Sequence, residues 1–356
     1  MADIARPTPA SAGLLPAPLR RGWRSGRLGG PTRSVVLLGA IYIVFSILSV
    51  DFYATSNTRS LLAYAVPAGL VAVGQTLVIA LGEIDLSVAS VGVLAGIVLI
   101  VLEPHGLLIA FAAAAAVGVG AGLFNGVVTA IFRVPSLVTT LATSFIAQGC
   151  SFIIASKPIS GTRLDLTASL DKPIGELLTV RIVIGVIVIA VAAAIFGLTP
   201  VGRTFFARGS NPDGARLLGL PGRSLVISGF LASGLLATAA GVILSISLDS
   251  GSPVIGGDLL LLSIAACLIG GSRLEGGTGS VIGTVIALFA LLALQNGMDI
   301  VGISSYWQQV VRGVVVLVAL LAATPSQVGG VRIMPSLGLG GLRERFRRRR
   351  EPSARP

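Results

Sequence analysis

Residues 61–102 read LLAYAVPAGLVAVGQTLVIALGEIDLSVASVGVLAGIVLIVL, and this stretch decides the fold class. Two apolar runs, 61–81 and 86–102, flank a short polar break that contains Glu83 and Asp85. A helix needs about 20 residues to cross the hydrocarbon core of a bilayer. Each run approaches that length without a charged side chain, so the stretch predicts two membrane helices joined by a tight connection.

The same pattern recurs along most of the 356-residue chain, which is 54% hydrophobic and only 12% charged. A soluble domain usually carries about 25% charged residues. We therefore predict an all-α integral membrane protein of about ten transmembrane helices. The weakest run, 258–272, leaves a full span and a re-entrant segment both open. The predicted spans are 35–50, 61–81, 86–102, 107–132, 136–155, 180–198, 225–246, 258–272, 280–298 and 308–323.

The basic charge is concentrated at the two ends of the chain, and it predicts the topology. Residues 1–33 are rich in Arg, Pro and Gly and predict a disordered basic cytoplasmic arm. Residues 325–356 predict a basic cytoplasmic tail, and 34–324 form the membrane domain. With ten spans and both termini in the cytoplasm, 20 of the 26 Lys and Arg residues lie inside. Topology and anionic lipid therefore explain the net charge of +11 better than nucleic acid does.

The predicted inner loop, 199–224, contains start and stop signals for a short helix. Asn211 can cap it, Pro212 suits its first position, and Asp213 lies near its positive N-terminal end. Gly219 is placed to end it. Such a helix suits a groove on a partner protein, although a solvated connector is the alternative. The candidate docking residues are Asn211, Pro212, Asp213, Ala215, Arg216, Leu217, Leu218 and Gly219.

Residues 213–219, DGARLLG, resemble the Glu-Ala-Ala-x-x-x-Gly coupling helix of ATP-binding-cassette importer permeases, with Asp213 in place of Glu and Gly214 in place of the first Ala. Further stretches resemble the ribose-type monosaccharide permeases over roughly residues 35–323. Glu83 and Ala89 stand where that family has glycines. The matching stretches are GEIDLSV at 82–88, GLFNG at 122–126, VPSLVTTL at 134–141, GGSRLEGGTGSVIGT at 270–284 and SSYWQQVVRG at 304–313.

The resemblance implies the permease subunit of an ATP-driven importer, which is not itself an enzyme. It implies alternating-access transport of a small neutral sugar, such as a ribose-like monosaccharide, across the bacterial inner membrane. The implied partners are a cognate ATPase subunit, a periplasmic or extracellular sugar-binding protein, membrane lipid, and a second permease copy or a paralogue. This chain would hold no cofactor, because ATP and Mg would bind to the ATPase.

Uncharged polar residues inside the predicted spans are the candidates for the substrate path. Amides and hydroxyls can exchange hydrogen bonds with a sugar without the cost of burying a charge. The alternative for each residue is a hydrogen bond between helices, worth about 0.6 kcal/mol. The candidates are Gln75, Asn125, Thr140, Thr143, Gln148, Gln295 and Asn296.

Two features near the spans have structural interpretations. Asp85, between two spans, is expected to cap the next helix, with Ser87 in its first turn; a charge inside the membrane would instead indicate function. The Gly-rich stretch 270–284 lacks the Gly-Lys-Ser/Thr ending of a phosphate-binding loop. Its Gly279 and Gly283 are expected to serve close helix packing.

Other functional classes lack their signatures. A secondary transporter usually needs ionisable residues within its spans, and an ion channel needs a filter. An enzyme or metal site needs converging reactive groups, but His105 is the single histidine and the two cysteines, Cys150 and Cys267, lie in separate apolar runs. Tyr306 and Trp307 are expected to anchor the last span at the outer interface.

Overall fold

The computed structural model describes residues 19–162 and 164–323, which are mostly helical. Two single 3₁₀ turns, Val50–Tyr53 and Glu103–His105, join neighbouring helices. The helices are α1 (Leu19–Leu48), α2 (Thr55–Ala80), α3 (Val88–Leu102), α4 (Leu107–Ala130), α5 (Ser136–Ile154), α6 (Leu164–Leu170), α7 (Val180–Leu198), α8 (Pro200–Ser210), α9 (Pro212–Leu217), α10 (Gly222–Ser247), α11 (Leu259–Ile269), α12 (Val281–Ile300) and α13 (Ser305–Ala323).

Eight helical segments in the described part of the chain are long and apolar enough to cross a membrane, judged by length and composition. They correspond to α1, α2, α3, α4, α5, α7, α10 and α12. The predicted run 258–272 forms α11, which has only 11 residues and is therefore about 16 Å long. That is roughly half the thickness of the hydrocarbon core. The last run forms α13, and its stretch Ser305–Leu321 falls among the shorter apolar helices, below the length of the eight.

The first helix starts earlier than the sequence predicts, because tertiary contacts support it. α1 begins at Leu19, within the segment expected to be a disordered arm. If Gly30 carried a side chain, its Cβ would lie only 2.2 Å from the carbonyl oxygen of Gly270, which is closer than van der Waals contact. The two backbones therefore touch. Ser34 Oγ donates to the carbonyl of Gly283 at 3.0 Å. These contacts support the helix from Gly30 onward. Elongating an existing helix by further turns toward Leu19 costs little free energy. The remainder of the predicted arm, 1–18, and the predicted tail lie outside the described residues.

Helix α10 lies at the centre of the bundle, against α2, α3 and α4. Glycines allow backbone contact there. A Cβ on Gly241 of α10 would lie 1.8 Å from the carbonyl oxygen of Gly92 on α3. A Cβ on Gly234 would lie 2.3 Å from the carbonyl oxygen of Gly118 on α4. Close backbone approach of this kind is how small residues hold membrane helices together.

Short strands accompany the helices, three of them in the segment 156–179 between two predicted spans and one at 250–251. Strand β1 (Ile159–Ser160) pairs antiparallel with β4 (Ser250–Gly251), and β2 (Pro173–Ile174) pairs with β3 (Leu178–Thr179). The buried carboxylate of Glu103 accepts a hydrogen bond from Thr162 N at 2.9 Å. These contacts fasten the outer loop to the ends of α3 and α10.

Candidate functional site

The short helix predicted in the inner loop is present as α9, with both of its predicted end signals. Asn211 Oδ1 accepts a hydrogen bond from Gly214 N at 2.9 Å, which caps the N-terminus. Gly219 has a φ of +75°, in the left-handed region that favours glycine. Gly219 N donates to Arg216 O and Leu220 N donates to Ala215 O, both at 3.0 Å. These two bonds form a Schellman motif, so local chemistry alone defines where α9 begins and ends.

The surface of α9 is apolar where it is most exposed. The side chains of Leu217 and Leu218 are 90% and 80% exposed, whereas Ala215 is buried. Asp213 and Arg216 form an exposed ion pair at 3.7 Å, and pairs of that kind add little stability. The two leucines are the last residue of α9 and its C-cap residue. Two adjacent exposed leucines at the end of so short a helix are typical of a surface that a partner covers.

A second helix in the inner loop, α8, was missed by the sequence prediction. Its start signal was available, since Thr199 precedes Pro200 at the first helical position. The helix is anchored by Phe205, which packs edge-on against Phe196 of α7 with ring centroids 4.9 Å apart. α8 therefore connects the membrane helix α7 to the exposed α9.

α8 is also attached to the connector between α2 and α3, residues 81–87. Arg208 forms a partly buried ion pair with Glu83 at 3.1 Å and donates a hydrogen bond to the carbonyl of Leu81. A Cβ on Gly209 would lie 2.0 Å from the carbonyl oxygen of Ala80, so the backbones are in contact. Glu83, which departs from the family's glycine, thus has a partner on α8.

The Gly-rich stretch 270–284 also packs against the end of α2 and the connector. Gly277 N donates to Ala80 O at 3.0 Å, and a Cβ on Gly276 would lie 2.6 Å from Gly82 N. Gly283 meets the expectation of close packing, since its Cβ would lie 2.3 Å from Gly270 O. Gly279 precedes α12 and packs against Ser272. The stretch therefore packs between the inner side of the bundle and the membrane helices, and its role is structural.

A buried chain of hydrogen bonds, here called the Asp85 network, starts in the connector and reaches three helices. Its members are Asp85, Ser87, Asn125, Thr143 and Ser233. One Asp85 oxygen accepts from Ser87 N at 2.9 Å and Ser87 Oγ at 2.6 Å, and the other accepts from Ser233 Oγ at 2.9 Å. Asn125 Nδ2 donates to Ser87 Oγ at 2.9 Å, and Thr143 Oγ1 donates to Asn125 Oδ1 at 2.6 Å. The network therefore connects α10, the connector, α4 and α5.

Asp85 itself is almost fully buried. Burial raises the pKa of its carboxyl, and the hydrogen bonds from Ser87 and Ser233 oppose that rise. The predicted cap is not formed: Ser87, and not Asp85, is the N-cap residue of α3, and no side chain caps that helix. Asp85 instead accepts from the N–H of Ser87, in the turn directly before the helix. The link to Ser233 on α10 was not predicted, because it joins residues 148 positions apart.

The seven residues predicted to line the substrate path differ in their hydrogen-bond partners and surroundings. Asn125 and Thr143 belong to the Asp85 network, and Thr140 Oγ1 accepts from Leu86 N at 3.0 Å while donating to Ser136 O at 2.8 Å. These three match the alternative of bonds between structural elements.

The other four residues lie in different surroundings. Gln75 of α2 is fully buried, and neither its amide oxygen nor its amide nitrogen has a hydrogen-bond partner among the described residues. Gln148 faces outward from α5. Gln295 and Asn296 line a separate cavity of about 250 Å³, and Asn296 exchanges two 2.9 Å hydrogen bonds with Asn57. The structure does not bring the seven candidates into one site.

No group of three or more His, Cys, Asp or Glu side chains that could hold a metal occurs within the described ranges. The two cysteines are free thiols: Cys150 is half-buried and Cys267 is buried. Tyr306 and Trp307 are 80% and 65% exposed at the start of α13.

Comparison with known proteins identifies the family. The family model described as branched-chain amino acid transport system / permease component matches residues 57–320. The chain is 34% identical over 302 residues to the ribose import permease protein RbsC of Escherichia coli strain K12, covering 83% of this chain and 94% of that protein.

Other relatives are also sugar or signal import permeases by name. The autoinducer 2 import system permease protein LsrC of Photorhabdus laumondii is 32% identical over 301 residues, covering 81% of this chain and 88% of that protein. The L-arabinose ABC transporter permease protein AraH of Azospirillum brasilense is 29% identical over 320 residues, covering 88% of this chain and 93% of that protein. This multi-pass membrane chain therefore belongs to the family of transport-system permease components and, within it, to the ribose-type permease subunits of ATP-binding-cassette importers, which are transport subunits and not enzymes.

Proposed function

We propose that this permease subunit imports a small neutral sugar, a ribose-like monosaccharide, across the inner membrane of a bacterium. The observation that carries the proposal is α9, a capped helix that exposes Leu217 and Leu218 and is fastened to the membrane helices through α8. A separate ATPase subunit would bind ATP and Mg and dock on α9. This chain would then need no cofactor of its own.

The contacts around α8 supply a route from that docking site into the bundle. Movement of α9 would pull on Arg208 and, through the Glu83 ion pair, on the connector between α2 and α3. The connector holds Asp85, whose hydrogen bonds reach α10 and, through Ser87 and Asn125, α4 and α5. Alternating access would follow from shifts of these helices against one another.

The substrate class rests on relatives and on chemistry. The relatives are named for ribose, L-arabinose and autoinducer 2, and ribose and L-arabinose are neutral monosaccharides. The unpartnered amide of Gln75 offers both a donor and an acceptor inside the bundle, which suits a sugar hydroxyl. Gln75→Leu is therefore expected to slow uptake, while leaving assembly with the ATPase unchanged. Unchanged uptake in this variant would remove Gln75 from the path.

We further propose ten crossings with both termini in the cytoplasm. Eight full-length segments together with the two shorter apolar helices, α11 and α13, give this even number. The excess of Lys and Arg on the predicted inner side supports that orientation. The external partner would be a sugar-binding protein, and the permease would pair with a second copy or a paralogue.

The test is reconstitution of the chain with its cognate ATPase and binding protein in liposomes. Leu217→Asp/Leu218→Asp is expected to abolish copurification of the ATPase and sugar-stimulated ATP hydrolysis, because it places two charges on the docking surface. Val201→Asp is the matched control, since Val201 is exposed in the same loop but lies on α8. Sugar uptake by the permease alone, without an ATPase, would instead indicate a secondary transporter.

A further inference from the structure

A cavity of about 560 Å³ lies beside α9, between the C-terminal end of α4 and the N-terminal end of α10. Its volume is within the range of small-molecule sites. Four arginines line it, and no carboxylate is among its lining residues. The arginines are Arg133, Arg208, Arg216 and Arg223.

Two of these arginines already have partners, and two do not. Arg208 is paired with Glu83, and Arg216 lies 3.7 Å from Asp213. Arg133 and Arg223 have no ion-pair partner among the described residues. The cavity therefore carries an excess of positive charge that comes from the turn after α4 and from the start of α10, and not from the docking helix.

A buried hydroxyl without a partner points to a ligand in the same cavity. Thr129 is 9% exposed and lines the cavity, yet its Oγ1 makes no hydrogen bond to any described residue. Buried polar groups normally have partners, because an unsatisfied one costs free energy. This oxygen has almost no accessible surface, so it would donate to an anion in the cavity after rotation of the Thr129 side chain.

The N-terminal end of α10 adds backbone donors. No side chain caps this 26-residue helix at Pro221, and Gly222 and Arg223 at its start line the cavity. Gly222 N already donates to Leu220 O at 2.8 Å, so the free donors begin with the N–H of Arg223. A helix N-terminus attracts anions through its free N–H groups and its dipole. Arginine adds a planar fork of donors that matches the oxygens of a phosphate.

We propose that this cavity is a binding site for a phosphate-bearing anion, held by Arg133, Arg223, Thr129 Oγ1 and the start of α10. The ligand is either a soluble phosphate ester or the headgroup of an anionic phospholipid, and both present the same group to these donors. Because the cavity adjoins α9 through Pro212, Ala215 and Leu220, occupancy would stiffen the contact between the coupling helix and the membrane helices. The site is independent of which sugar is carried.

The test uses the full chain assembled with its ATPase in nanodiscs. In phosphatidylcholine nanodiscs, binding of inorganic phosphate is measured by calorimetry at low salt. In nanodiscs that also contain phosphatidylglycerol, the lipid retained after detergent extraction is measured by native mass spectrometry. The variants are Arg133→Gln/Arg223→Gln and the near-isosteric Thr129→Val, which preserves packing if the double variant fails to assemble. The control is Arg203→Gln, an exposed arginine of α8 that does not line the cavity.

Retained ligand is expected to fall about tenfold or more in the double variant and about threefold in Thr129→Val, with Arg203→Gln equal to wild type. Loss of phosphate binding would identify a soluble ligand, and loss of retained phosphatidylglycerol would identify a lipid headgroup. The proposal is overturned if the assembled wild type binds neither probe, which would mean that the ATPase itself covers these arginines. It is also overturned if Arg203→Gln loses as much ligand as the double variant, since the effect would then be general charge.

Discussion

Replacing Asp85 tests whether its network holds the helices together. In Asp85→Ala, three donors lose their acceptor: Ser87 N, Ser87 Oγ and Ser233 Oγ. A buried donor without a partner costs about 1–3 kcal/mol. Because the two hydroxyls can rotate toward other acceptors, we expect a total loss of about 3 kcal/mol.

Asp85→Asn is the informative comparison, because it has almost the same shape. The amide oxygen can still accept from Ser87, and the amide NH₂ can donate to Ser233 Oγ, whose hydroxyl also accepts. The variant also removes the cost of burying a charged carboxylate. We therefore expect a loss of about 1 kcal/mol or less, which leaves a difference of about 2 kcal/mol between the two variants.

The assay is thermal unfolding of the purified chain in detergent, followed by size-exclusion chromatography of heated samples. At about 2–4 °C per kcal/mol, Asp85→Ala should lower the apparent midpoint by about 6–12 °C and Asp85→Asn by less than about 4 °C. Asp213→Ala is the control, since its carboxylate is 90% exposed, and it should leave the midpoint unchanged. An Asp85→Ala midpoint equal to or above that of Asp85→Asn would refute the network as a source of stability.

Three further predictions follow from the packing and charges. Because burial raises the pKa of Asp85, the folded chain binds the proton on this carboxyl more tightly than the unfolded chain does. The melting midpoint of the wild type should therefore rise relative to that of Asp85→Asn as the pH falls from 7 toward 4. A difference between the two midpoints that stays constant with pH would contradict this. Gly241→Ala should lower the melting midpoint, since its Cβ would lie 1.8 Å from a backbone oxygen, whereas Gly39→Ala, with nothing within 4 Å, should not; equal midpoints would contradict the close contact. Glu83→Gln and Arg208→Gln should each reduce sugar-stimulated ATP hydrolysis, and a double-mutant cycle should show a coupling of about 1–2 kcal/mol in stability; purely additive effects would show that the ion pair does not link α8 to the connector.

The sequence alone determined the positions of the membrane helices and of α9. A bilayer requires each crossing to be a continuous apolar run, because an unsatisfied backbone has no water to bind. Hydropathy therefore locates most of the helices within a few residues, and the start of α1 is the main exception. The ends of α9 were predictable for a similar reason: Asn211 and Gly219 act on their own backbone neighbourhood. The family resemblance, carried by short motifs, was confirmed by the comparisons.

Only the tertiary structure decided what those motifs do. Asp85 meets Ser233, and Glu83 meets Arg208, across more than a hundred residues, so no local pattern could pair them. The contact between Gly30 of α1 and Gly270 is likewise a property of the packed helices, which hydropathy does not report. The cavity and its arginines likewise exist only where α4, α9 and α10 converge. Hydropathy and capping act within one element, whereas hydrogen-bond partners and cavities are properties of several elements packed together.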